Sequence, residues 1–109
     1  MYAIISEIDK RSSEKVSQIW HGLCKACGLE EIYTLPTPHF SWLVANGMIL
    51  DQAKLKVESM ISQVPEIRTY TFGLGIFSGN LPVLFLPMVK TIEMIKLHQK
   101  IWDQVGPHC

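Results

Sequence analysis

Pro38-His39-Phe40-Ser41-Trp42-Leu43-Val44-Ala45 decides how the rest of this 109-residue chain is read. Its β-branched and aromatic content predicts a strand, and side chains along a strand alternate between two faces with an advance of about 3.3 Å per residue. His39 and Ser41 therefore share one face at a spacing of roughly 7 Å. Phe40, Trp42 and Val44 are expected on the opposite, core-facing side. Pro38 holds Thr37 out of the helical region and brings no N–H of its own.

Upstream, Tyr2-Ala3-Ile4-Ile5-Ser6-Glu7-Ile8 predicts a first strand that stops at Asp9-Lys10. Ser12 or Ser13 is then placed to cap a helix whose apolar stripe is Val16, Ile19, Trp20, Leu23 and Cys27, with Gly28 suited to the position just past its end. Leu29 to Pro38 reads as the loop into the motif strand. Downstream, Asn46-Gly47 signals a turn, and a second helix is expected over residues 50–64, with Ala53, Val57, Met60, Ile61 and Val64 inside and a Lys54/Glu58 pair outside. Pro65 ends it. Residues 67–77 predict a long strand in which Gly73 and Gly75 mark a bulge or a close backbone approach. Ser78-Gly79-Asn80 turns the chain into a returning strand over 82–86. A last helix runs over 91–105 with Met94, Ile95, His98, Ile101, Trp102 and Val105 on its stripe, closed by Gly106-Pro107. The order β-α-β-α-β-β-α predicts an α+β fold, a mainly antiparallel sheet with helices packed on one side, in a single domain over 1–109.

Ten basic and ten acidic residues cancel, so the electrostatic footprint of a protein that coats duplex nucleic acid is missing, while a small phosphate-bearing ligand needs only a few local donors. The first residues carry no basic leader ahead of their apolar stretch, and no unbroken apolar run nears the roughly 20 residues of a membrane span. An odd count of three cysteines is a poor basis for a disulfide framework. Together these predict a soluble, cytoplasmic protein.

The motif resembles the His-hydrophobic-Ser/Thr-hydrophobic signature of the two-histidine phosphoesterases, the superfamily of 2'-5' RNA ligase-like proteins and cyclic phosphodiesterases. The element order around it is similar as well, down to a late helix with Leu97-His98 in its middle. In that superfamily two such motifs face each other across a cleft between pseudo-symmetric lobes. By this resemblance the chain is the N-terminal lobe, His39 is an acid or base, Ser41 holds phosphate oxygens, and no cofactor is required. The substrates so implied are RNA ends or small nucleotides with 2',3'-cyclic or 2'-5' linkages. The sequence contains no second such motif, so a complete site implies a homo-oligomer or a second lobe absent from this chain.

Arg68 and Tyr70 alternate onto one face of the expected long strand, within reach of a phosphate or a base, or else on an ordinary exposed face. The plain alternative for His39 is a strand histidine bonded to a neighbouring carbonyl. At the level of the whole chain, the alternatives are a catalytically silent half-domain binding a nucleotide phosphate or a protein partner, and a small zinc-stabilised module. The latter builds on Cys24-Lys25-Ala26-Cys27, which lies near a helix end rather than the N-terminus that redox thiols use, and recruits His108 and Cys109 if the tail folds back. Trp20, Trp42 and Trp102 are read as packing, His98 as a core histidine, and His21 as solvated.

Overall fold

The computed structural model of the chain describes residues 1–28 and 37–109. Most of the loop expected over residues 29–38 lies outside the described residues. The fold is α+β, with antiparallel strand pairs and, among the described residues, three α-helices. The chain divides into two compact units, Met1–Gly47 and Met48–Cys109.

In the first unit, β1 (Tyr2–Glu7) leads into α1 (Lys10–Cys27), and β2 (His39–Ala45) returns antiparallel to β1. The helix starts earlier than the serines suggest. Asp9 is its N-cap, and a carboxylate oxygen accepts from the Ser12 N–H at 3.0 Å. Gly28 takes the left-handed conformation (φ 68°) and its N–H closes the helix on the Cys24 carbonyl, the position where a residue without Cβ is favoured. Val16, Trp20, Leu23 and Cys24 form the partly covered face, whereas Ile19 and Cys27, expected on the stripe, are exposed.

The β1/β2 ladder carries one irregularity that corrects the face assignment. Glu7, Ser6 and Ile5 pair with His39, Phe40 and Ser41 in regular succession, but the next partner of β1, Ile4, meets Leu43. Trp42 is the extra residue of a β-bulge. Paired residues of an antiparallel ladder point to the same side, so Leu43 joins Phe40 and Trp42 on one face and Val44 turns to the other. Exposure agrees: Leu43 is 4% exposed and Val44, expected in the core, is 55% exposed. On the Leu43 face, Phe40 and Trp42 meet edge to face with centroids 5.0 Å apart, and the Trp42 indole N–H donates to the Ser6 hydroxyl at 2.6 Å. A hydrogen bond of this kind contributes about 1 kcal/mol.

In the second unit, α2 (Leu50–Ile61) and α3 (Ile92–Val105) pack against each other, and a single 3₁₀ turn over Gly106–His108 packs against both. Ala53, Met60, Met94, Ile101 and Val105 are its buried core. The turn is tied to the start of α2 by a bond from the Ile49 N–H to the His108 carbonyl at 2.8 Å. α3 is capped by the Thr91 hydroxyl, which accepts from the Met94 N–H. α2 ends at Ile61 rather than 64 because Pro65 disfavours helical backbone at Val64, and the chain leaves through two overlapping four-residue turns, closed by the Gln63 N–H on the Met60 carbonyl and the Val64 N–H on the Ile61 carbonyl. Ile61, placed inside by its spacing, is 64% exposed. In α3 the covered stripe is Met94, Leu97, Ile101 and Val105. Ile95, His98 and Trp102 flank it and are exposed, so neither His98 nor Trp102 is the core residue expected.

Two short strands, β3 (Gly75–Phe77) and β4 (Val83–Phe85), make an antiparallel hairpin in this unit. The long strand expected from residue 67 is interrupted. An isolated bridge joins Thr71 to Met88, and Thr71 to Gly75 spans one residue more than Phe85 to Met88. Gly73 absorbs the extra residue in the left-handed conformation (φ 61°), which only a glycine adopts without strain. Gly75 supplies the expected close approach: the Phe85 ring occupies the space where a Cβ would stand, and it stacks on Phe77 at 4.4 Å.

Candidate functional site

His39 and Ser41 sit before the bulge, where the ladder is regular, and both lie on the face away from Leu43. Their cross-strand neighbours are Glu7 and Ile5. Ser41 is exposed and His39 half-buried. His39 Nδ1 lies 2.7 Å from the Thr37 carbonyl oxygen. A carbonyl can only accept, so Nδ1 carries the proton, and in the neutral ring Nε2 holds the bare lone pair. Nε2 meets no partner among the described residues. The plain alternative's bond to a neighbouring carbonyl is thus present, and it leaves the other ring nitrogen available.

Two further residues complete the local arrangement. The Thr37 hydroxyl donates to the Glu7 carboxylate at 3.1 Å, tying the end of β1 to the segment that enters β2. Thr37 therefore holds the imidazole through its backbone and the carboxylate through its side chain, while the fixed φ of Pro38, which is buried, sets the geometry between them. This arrangement presents an oriented acid/base nitrogen beside a hydroxyl donor, the parts needed to move a proton and hold an anionic oxygen. Glu7 and Thr37 were not singled out by sequence as site residues. The only signal for Thr37 is its place before a proline and two residues from a histidine, and Glu7 becomes visible only once the β1/β2 register is known.

Arg68 and Tyr70 belong to the second unit. They do not alternate along a strand, because the chain there is irregular up to the Thr71–Met88 bridge. Both side chains are exposed, and the Tyr70 carbonyl accepts from the Val89 N–H at 2.8 Å. Cys24, Cys27 and Cys109 are free thiols. Among the described residues, no group of three or more His, Cys, Asp or Glu is placed to hold a metal ion. Nor is any helix among them long and apolar enough to cross a membrane.

No family model, curated protein or solved structure matches the chain. The class defined by fold and site is an α+β protein with an oriented histidine and a serine on one face of a strand pair.

Proposed function

We propose that this chain provides one half of a two-histidine phosphodiesterase-type site, acting on 2',3'-cyclic or 2'-5' phosphodiester linkages of RNA ends or small nucleotides. The observation that supports the reading is the Nδ1 anchor on the Thr37 carbonyl, which leaves Nε2 as the working nitrogen on the face that carries Ser41. In hydrolysis of a cyclic phosphate, Nε2 takes a proton from water as the water oxygen bonds to phosphorus. The P–O bond to one ribose oxygen breaks, and that oxygen receives a proton from a second acid. Ser41 donates to a non-bridging phosphate oxygen. The second acid comes from another copy of the chain.

Phosphorus NMR of a 2',3'-cyclic nucleotide incubated with the chain and with His39→Ala tests this. Turnover by the wild type, reduced about 100-fold or more in the variant, is the expected result, since a positioned acid/base group is worth roughly that factor. No turnover by either protein, or equal turnover by both, refutes it. Binding of the nucleotide without turnover replaces it with the silent half-domain.

A further inference from the structure

Asn46-Gly47 ends the first unit, at the opposite end of β2 from His39. The pair follows directly on the Tyr2–Ala45 pairing, and residues 46–49 form neither helix nor strand. Both residues are exposed. Among the described residues, neither the Asn46 carboxamide nor the Gly47 N–H has a hydrogen-bond partner.

Gly47 is not a glycine that the backbone requires. Its φ lies outside the left-handed range taken by Gly28, Gly73 and Gly79, and a Cβ built on it meets nothing within 4 Å. What separates it from an alanine here is an amide nitrogen with no side chain beside it. The electrophile within reach of that nitrogen is the Asn46 Cγ, because joining the two closes a five-membered ring. Closure requires rotation about the Asn46 ψ, one of the two soft backbone angles, which a helix or strand holds fixed and this segment does not.

We infer that Asn46 is a site of spontaneous conversion to aspartate and isoaspartate, with water as the only co-reactant. The Gly47 nitrogen loses its proton and bonds to the Asn46 Cγ. The carboxamide C–N bond breaks, and its NH2 leaves with that proton as ammonia. One water then opens the succinimide, and its oxygen stays in the product. Opening at Cγ restores the ordinary main chain with aspartate at 46, whereas opening at the main-chain carbonyl routes the chain through Cγ and lengthens it by one methylene. Either product adds a carboxylate to a chain of formal net charge zero.

Asn80 is the comparison that the chain itself provides. It is the one other asparagine, it too is exposed, and it too lies in a bend outside any helix or strand. The residue after it is Leu81, whose branched side chain shields the attacking nitrogen. Asn46 therefore reacts first although exposure is shared. His39 pairs with Glu7 at the far end of the β1/β2 ladder, and the inference does not depend on the phosphodiesterase reading.

Peptide mapping by mass spectrometry tests it, after incubation of the folded chain at neutral and mildly alkaline pH in ordinary and heavy-oxygen water. Asn46 is expected to gain the mass of an NH2-to-OH exchange as a pair of products, aspartyl and isoaspartyl, told apart by electron-transfer fragmentation. Each carries one solvent oxygen, and the converted protein elutes as a more acidic species on ion exchange. Gly47→Ala, for which the structure has room, is expected to react at least about tenfold more slowly, equivalent to roughly 1.4 kcal/mol on the barrier. The isoaspartyl product identifies the succinimide in the wild type alone, so the test stands even if that variant fails to fold. Asn46 keeping its amide as long as Asn80 does overturns the inference. So does aspartate without isoaspartate, an equal rate in Gly47→Ala, or conversion confined to the urea-unfolded chain.

Discussion

Val105 is fully covered, the only described residue with no exposed surface, whereas Ile61 in the same unit is 64% exposed although its spacing assigns it to the core. Truncating each to alanine separates the observed packing from the periodic pattern. Val105→Ala removes two carbons from a dry site, about 1.6 kcal/mol of transfer free energy at ~0.8 kcal/mol per buried carbon. If the neighbours do not collapse, a residual void of about 50 Å³ adds roughly 1.2 kcal/mol at ~24 cal/mol per Å³. The expected loss is thus about 1.6–2.8 kcal/mol, equivalent to a Tm lower by some 6–22 °C at about 4–8 °C per kcal/mol. Ile61→Ala removes a side chain that is mostly in water already, and its expected effect is within about 0.5 kcal/mol. Urea unfolding of both variants, followed by circular dichroism, reads the difference directly. A loss below about 0.5 kcal/mol for Val105→Ala, or a larger loss for Ile61→Ala than for Val105→Ala, refutes the packing described.

Gly75→Ala places a methyl group on the Phe85 ring, and the ring cannot move without disturbing its stack on Phe77, so a loss of about 1–3 kcal/mol is expected in thermal unfolding. The penalty shrinks in a Phe85→Leu background, and equal penalties in both backgrounds contradict the ring contact. The Asp9 carboxyl is held below the usual carboxylate range, first by the Ser12 hydroxyl and then by the Ser12 N–H. A carboxylate whose pKa is lowered in the folded state stabilises that state above its unfolded pKa and ceases to do so as pH falls through the folded value. Asp9→Ala is therefore less stable than the wild type at neutral pH, and the gap narrows on acidification through that range. Chemical denaturation at neutral and acid pH checks this, and a gap that does not change with pH removes the capping role.

The elements that the sequence makes legible are those fixed by local signals. Gly28 ends α1 and Thr91 begins α3 because these are backbone requirements satisfied within one turn. Asp9 is less visible because Ser12 and Ser13 offer equally good capping chemistry, and the choice is set by where β1 releases the chain. The stripe of α3 is legible only to within a rotation. Met94, Ile101 and Val105 fit both the expected and the observed faces, and the contact with α2 decides that Leu97 rather than His98 lies between them. The long strand over 67–77 fails at Gly73, whose left-handed backbone breaks a pattern that composition alone shows as continuous. Arg68 and Tyr70 precede the Thr71–Met88 bridge in backbone that forms no strand, so they share no strand face.

The bulge at Trp42 joins the legible part of the site to the illegible part. In an unbroken strand His39, Ser41 and Leu43 fall on one face. Leu43 is nearly fully buried, so regular alternation carries Ser41 and His39 into the same covered layer, where a hydroxyl and an imidazole need partners to offset their desolvation. The alternative in a regular strand is to expose Leu43 and bury Val44. By adding one residue, β2 buries Leu43 with Phe40 and Trp42 and still keeps His39 and Ser41 on the opposite face. No glycine or proline in Ser41-Trp42-Leu43 marks the bulge, so the pattern cannot show it. What fixes it is the pairing of Leu43 with Ile4 together with the Trp42–Ser6 hydrogen bond. The aromatic residue beside the motif is thus a positioning element for the strand, and the face that His39 and Ser41 share, opposite Leu43, is a consequence of how that strand is paired.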